Sequence, residues 1–152
     1  MAAPAYGLRP STSDDLPFVL ALNKANAAAQ LERALGWNEE EAREHVKQRF
    51  RPGRDWLVTK HGERIGLLSL DRRADAIVVR HIELLPDHQN QGIGSALIRG
   101  VLDFGAAQKL PVRLRVAKEN PARSLYERLG FSVTAEDDRK YEMTATPLGP
   151  AP

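Results

Sequence analysis

Apolar positions recur along the chain at two spacings, and the switch between them predicts the order of elements. A short strand is predicted in "YGLRP" (6–10). After the capping residues "STSDD", Leu16, Val19, Leu20 and Asn23 fall at helical spacing in an alanine-rich stretch, "LPFVLALNKANAAAQ". Asn38, with Glu41 three residues on, opens a second helix in "NEEEAREHVKQRF". Glutamates begin that helix and basic residues end it, as the helix dipole favours. "DWLVTK", a His61-Gly62 turn and "RIGLLSL" read as a hairpin, and "AIVVRHIELL" as a long strand after the polar turn "DRRADA".

The second half alternates. A polar loop with two glycines, "DHQNQGIG", leads into a helix whose inner face is predicted as Ile93, Leu97, Val101 and Phe104. "PVRLRV" alternates apolar and basic residues, a strand with one buried face. Asn120 caps "PARSLYERLG", with Pro121 in the first helical position and Gly130 just past the end. "FSVTA" and "KYEMTA" are two closing strands. The fold class is therefore mixed α/β, and the 152 residues are expected to form a single domain (1–152) with loose ends at 1–5 and 147–152.

Composition narrows the chemistry. The chain contains no cysteine, which excludes disulfides, thiolate metal sites and a thiol nucleophile and suits a reducing, cytoplasmic location. The four histidines, His45, His61, His81 and His88, lack paired ligand spacing, so no metal is expected. A net charge of +2 gives no reason to expect nucleic acid as a partner. No apolar run has the length of a membrane span.

The glycine loop is the feature with most chemical content. A helix start presents backbone N–H groups that have no acceptor within the helix, at the positive end of its dipole. Phosphate and pyrophosphate bind such ends. Gln91, Gly92, Gly94 and Ser95 are the natural donors here. A strand-to-helix turn made tight by glycine explains the same pattern. Neither a Walker loop nor a dinucleotide-binding Gly-x-Gly-x-x-Gly is present.

The segment Gln89-Asn90-Gln91-Gly92-Ile93-Gly94 resembles the Gln/Arg-x-x-Gly-x-Gly/Ala signature of the GNAT superfamily of acyl-CoA-dependent N-acyltransferases. "ENPARSLYERLGF" is similar to the later motif of that superfamily, and the two follow in the expected order with one helix and one strand between. The resemblance covers most of the chain. It departs from the usual loop at Asn90, where glycine is common, and at Gln91, where arginine is frequent. The second departure removes one positive charge beside the pyrophosphate.

The resemblance implies a mostly antiparallel central sheet flanked by helices, with central strands that splay to admit the coenzyme. It implies acetyl-CoA as co-substrate, an amine-bearing small molecule or peptide as acceptor, and direct attack in a ternary complex. A homodimer is common in such folds. Glu83, a carboxylate in an otherwise apolar strand, is the implied base, directly or through water. A carboxylate facing solvent or paired with an arginine explains it equally from the residues alone. Burial would raise its pKa towards neutrality. Tyr126 is the implied acid at the leaving sulfur. Otherwise it is a half-buried helix tyrosine. The backbone of Leu84 and Leu85 is expected to hold the acyl carbonyl and pantetheine. Asn120 either caps its helix alone or also touches pantetheine. Arg123 and Ser124 either meet phosphates or form a solvated face. His81 shares a face with Glu83 and either lines the acceptor pocket or is packed in the strand. Trp37 and Glu39 to Glu41 are read as a structural tryptophan and a solvated helix start. The alternative to an enzyme is a non-catalytic acyl-CoA-binding domain of the same fold.

Overall fold

The structure is a computed structural model and describes residues 6–29 and 38–147. Trp37 lies outside the described residues. The elements are β1 (Gly7–Pro10), α1 (Leu16–Ala29), α2 (Glu39–Arg49), β2 (Trp56–Lys60), β3 (Glu63–Arg72), β4 (Ile77–Leu84), α3 (Ile93–Ala107), β5 (Val112–Ala117), α4 (Ala122–Arg128), β6 (Ser132–Glu136) and β7 (Lys140–Ala145). The seven strands form one sheet in the order β1-β2-β3-β4-β5-β7-β6. The mixed α/β class and the order of elements follow the hydrophobic pattern. No helix among the described residues is long and apolar enough to cross a membrane.

The chain divides into two compact units, residues 1–69 with 81–93, and 70–80 with 94–152. In the first unit, Val19 and Leu22 of α1, Val46 of α2, Phe50, Leu57 of β2 and Leu67 of β3 form a buried cluster. Asn38 opens α2 as its sequence position predicts, its side chain accepting from the Glu41 N–H at 3.0 Å. The β2–β3 turn has positive φ at both His61 (52°) and Gly62 (80°), the twist that suits a two-residue hairpin. Before α1, the Asp15 carboxylate accepts from the Thr12 N–H at 2.8 Å and from Arg9 and Arg64. The Arg9 hydrogen bond is the main cause holding its pKa well below the usual carboxylate range.

β3 is irregular where it runs beside the end of β4. Its register with β2 steps from Val58↔Gly66 to Thr59↔Arg64, so Ile65 is an extra residue. On the other side, the Ile65 carbonyl accepts from the Leu85 N–H at 2.8 Å. A Cβ on Gly66 would lie 2.4 Å from the Glu83 carbonyl oxygen and 2.7 Å from Leu84 Cδ2. Glycine is required there because the obstacle is backbone.

In the second unit, β5 pairs antiparallel with β7 from Val112↔Ala145 to Ala117↔Lys140, and β7 pairs antiparallel with β6. β4 and β5 pair in parallel at Ile77↔Val112 and Val78↔Arg113. On α3, Ile93, Leu97, Ile98 and Val101 are buried, but Phe104 is 43% exposed. The expected inner position passes instead to Gly105, where a Cβ would approach Leu110 O and Val112 Cγ2 to 2.9 Å. Ile98, Val101 and Gly105 continue the buried stripe at helical spacing, and the close approach needs the smallest residue.

Gly66→Ala should destabilise the fold by about 1–3 kcal/mol, the usual range for forcing atoms into a filled space. Gly94→Ala should be neutral or slightly stabilising, because a Cβ at Gly94 meets no atom within 4 Å. Urea unfolding of the two variants tests the contrast, and equal stability would contradict it.

Candidate functional site

β4 has buried Ile77, Val79 and Leu84 along it, and polar side chains enter at its C-terminal end. His81 and Glu83 are two residues apart, so a regular strand puts them on one face. They meet there, His81 Nε2 lying 2.6 Å from Glu83 Oε2. Asn26, reaching from α1, donates to Glu83 Oε1 at 2.9 Å and to the Leu84 carbonyl at 3.0 Å. Arg49 Nη2, at the end of α2, lies 3.8 Å from Glu83 Oε2. The Glu83 side chain is only 13% exposed.

Burial is the largest single influence on Glu83 and pushes its pKa up. The hydrogen bonds from His81 and Asn26, with the charges of His81 and Arg49, together outweigh it and leave the pKa below the ordinary carboxylate value. The expectation of a pKa raised towards neutrality is therefore corrected. Burial alone would have raised it, but the donors that accompany the burial favour the ionised form. An ionised carboxylate only accepts hydrogen bonds. Facing an ionised carboxylate at 2.6 Å, Nε2 of His81 is the nitrogen placed to donate. The pairing with an arginine, open from sequence, is present as well.

Gln89 is the first residue of the glycine motif, and its side chain turns back on the protein. Its Nε2 donates to Asn26 Oδ1 at 2.9 Å and to the Leu84 carbonyl at 2.9 Å. The Leu84 carbonyl thus accepts two side-chain amides. The Leu85 N–H donates to Ile65 O, and its carbonyl accepts from the His88 N–H at 2.9 Å. At Leu85, one of the two residues whose backbone was expected to hold the acyl carbonyl and pantetheine, the N–H is thus engaged at the β3 irregularity.

A 3-10 turn at Pro86–His88 and an extended Gln89 lead into the loop. Asn90 has φ 61° and Gly92 φ 82°. Asparagine tolerates this region better than most residues, and at Gly92 the backbone itself explains the glycine. The Gln91 side chain donates to the Asp87 carbonyl at 2.8 Å. Ile93 is the first helical residue and is buried, so it anchors the start of α3. Gly94 differs from Gly92. It is helical, without positive φ, and a Cβ there would meet no protein atom within 4 Å. Nothing inside the protein requires glycine at this position. With Gly94 and Ser95 in the first turn of α3, their N–H groups are among those without an acceptor in the helix.

Asn120, Arg123, Ser124 and Tyr126 lie in the second unit. Asn120 Oδ1 accepts from the Ala122 N–H at 2.9 Å, so the expected cap at the start of α4 is present. Tyr126 is half-buried, its ring edge-on to Phe131 at 5.8 Å between centroids. Burial pushes its phenol pKa up, which keeps the hydroxyl protonated through the neutral range. Arg123 is engaged within the protein, donating to Glu127 at 2.7 Å and lying 4.3 Å from the centre of the Tyr141 ring. Ser124 is exposed. Glu39 to Glu41 are exposed on the first turn of α2, as expected of a solvated helix start.

The structure thus joins His81, Glu83, Leu84 and Gln89 in one polar cluster, with Asn26 and Arg49, which the sequence reading passed over. A signal for Asn26 was available. It follows Val19 and Leu22 on the inner face of α1, and a polar residue in a buried stripe needs partners.

Comparison with known proteins agrees with the motifs. A family model described as "Acetyltransferase (GNAT) family" matches residues 22–131. The rat protein "N-acetyltransferase family 8 member 3" is 26% identical over 89 residues, 53% of this chain and 39% of that protein. The match therefore spans about two-fifths of that curated relative. Among solved structures, the PaiA N-acetyltransferase of Thermoplasma acidophilum, in complex with coenzyme A, superposes with a TM-score of 0.74 at 16% identity, covering 96% of this chain and 99% of that one. The ribosomal-protein-S18-alanine N-acetyltransferase of Escherichia coli gives a TM-score of 0.69 at 20% identity, covering 95% and 96%. At these identities the structural likeness concerns the fold.

The phenol of Tyr126 should titrate above 10.0, its ordinary value, because burial disfavours the phenolate. The difference between alkaline absorbance titrations of wild type and Tyr126→Phe isolates that hydroxyl. A difference curve with its midpoint at or below 10.0 would contradict the assignment.

Proposed function

The chain belongs to the GNAT acetyltransferase family, and on that premise we propose that it transfers an acetyl group from acetyl-CoA to a primary amine of a small molecule or peptide, by direct attack in a ternary complex. The observation that supports this best is Gly94, a glycine in the first turn of a long helix with no internal reason to be one. Close approach of a ligand to the helix start explains it, and the positive end of α3 suits a pyrophosphate. The loop residues fit such a group through the N–H groups of Gln91, Gly92, Ile93, Gly94 and Ser95. The side chains of Gln89 and Gln91, bonded to the protein, support the loop instead of meeting the ligand.

When bound, acetyl-CoA supplies an activated acyl group and a thiolate that leaves readily. The reaction forms a C–N bond, breaks the C–S bond, and needs one proton removed from the amine and one placed on the sulfur. Glu83 removes the first, directly or through a water, by the lone pairs its partners leave open. Its ionised state at neutral pH means that it is ready to accept. Tyr126 supplies the second, and its raised pKa keeps that proton in place. Asn120 caps α4, the helix that contains Tyr126.

Turnover of acetyl-CoA against a panel of amines, read by thiol release, tests the reading. Glu83→Gln should lower kcat by about 10² to 10⁴-fold, the usual value of general acid–base catalysis. Retained turnover in that variant would remove Glu83 as the base and make His81 the next residue to test. Binding of acetyl-CoA without turnover on any amine would favour the non-catalytic alternative.

Gly94→Asp separates fold from binding. An acidic residue in the first turn of a helix stabilises it by roughly 0.3–1 kcal/mol. The same charge repels a pyrophosphate. The variant should therefore unfold at the same or higher urea concentration and bind coenzyme A at least tenfold more weakly by calorimetry. Unchanged affinity in the folded variant would remove the loop from the binding site.

A further inference from the structure

We propose that Asn26 is the positioning residue of this site: its side-chain amide sets the orientation of the Glu83 carboxylate and, clamped by Gln89, ties that orientation to the glycine loop. The inference rests on the reading of Glu83 as the base. It is carried by the geometry of one side chain. Asn26 Nδ2 donates to Glu83 Oε1 at 2.9 Å and to Leu84 O at 3.0 Å, while its Oδ1 accepts from Gln89 Nε2 at 2.9 Å. Gln89 then closes the ring with its own bond to Leu84 O at 2.9 Å. Three elements meet in this ring: α1 through Asn26, the end of β4 through Glu83 and Leu84, and the coenzyme loop through Gln89.

The direction of each bond matters. The amide nitrogen is a donor, so it favours the charged carboxylate. The amide oxygen is an acceptor, so the Gln89 donor prevents the side chain from flipping. A flipped amide would put its oxygen against Glu83 Oε1 and its NH₂ against the NH₂ of Gln89, both repulsive. Asn26 is thereby held in one orientation, and Glu83 Oε1 with it. The other charged or titratable groups facing Glu83 are His81 on β4, 2.6 Å from Oε2, and Arg49 on α2, 3.8 Å from Oε2. Asn26 is the side chain that donates to Oε1 at 2.9 Å while bonding the Leu84 carbonyl and Gln89.

A carboxylate that loses a donor to its ionised form must titrate at higher pH. Asn26→Ala removes the donor and should move the Glu83 titration up. Asn26→Asp keeps the shape and the acceptor for Gln89 but replaces the donor by a second carboxyl group. It should move the Glu83 titration up further than alanine does, because two close carboxylates share a proton. Gln89→Ala frees the amide to flip and should move it in the same direction by less. The readout is the side-chain carboxyl resonance of Glu83 in ¹³C-glutamate-labelled protein, assigned with Glu83→Gln and followed from neutral to acid pH. It needs no substrate. In parallel, kcat for the best amine of the panel should fall by roughly tenfold or more in Asn26→Ala.

An unmoved Glu83 resonance in Asn26→Ala and Asn26→Asp overturns the inference, and an unmoved one in Gln89→Ala overturns the clamp. A resonance that moves as stated while turnover keeps its wild-type value supports the hold on Glu83 and overturns instead its assignment as base. Should Asn26→Ala fail to fold, the isosteric aspartate variant carries the test alone.

Discussion

A carboxylate taken almost wholly out of water must find hydrogen-bond donors or give up its charge, and the first unit of this protein is arranged around that requirement at Glu83. The donors come from different parts of the chain. His81 reaches it along the same strand face and Asn26 from α1, and the Arg49 guanidinium, 3.8 Å away at the end of α2, adds its charge without a hydrogen bond from Nη2. Their combined pull exceeds the effect of burial, so the group remains an anion. Removing one donor from such a cluster is more costly than losing an exposed ion pair, because the charge left behind stays buried.

The same region explains an irregularity in the sheet. β3 has Gly66 against the Glu83 carbonyl, and its extra residue, Ile65, takes the Leu85 N–H. The β4 chain turns into the loop with its last carbonyl, at Leu84, held by two side-chain amides. Polar backbone groups at the end of a strand usually pair with a neighbouring strand or with water. Here side chains do the work, and one of them belongs to the glycine motif itself.

The two glycines of that motif illustrate two different demands. Gly92 has positive φ, which a side chain would strain, so the turn accounts for it. Gly94 has ordinary helical geometry and open space beyond it, so the turn does not. In the second unit, Tyr126 shows a comparable division between packing and chemistry. Its ring packs on Phe131, and burial keeps its hydroxyl protonated, the state that the proposed function asks of it.

Sequence by itself determined what depends on local period and local capping. The order of helices and strands, the caps at Asn38 and Asn120, the shared face of His81 and Glu83, and the glycine loop opening α3 all follow from spacings of two to four residues. Tertiary structure decided what depends on which distant residues meet. Asn26 is 57 residues from Glu83 in the chain, and helical spacing from Val19 and Leu22 turns it inward without showing which group it meets. Phe104 has the right spacing for the core, yet Gly105 takes the inner place because α3 comes close to Val112. The placing of β7 between β5 and β6 and the capture of the Leu85 N–H by Ile65 likewise follow no local rule. The sign of the Glu83 pKa shift depends on the balance between burial and donors, and a strand pattern shows the burial but not donors from other elements.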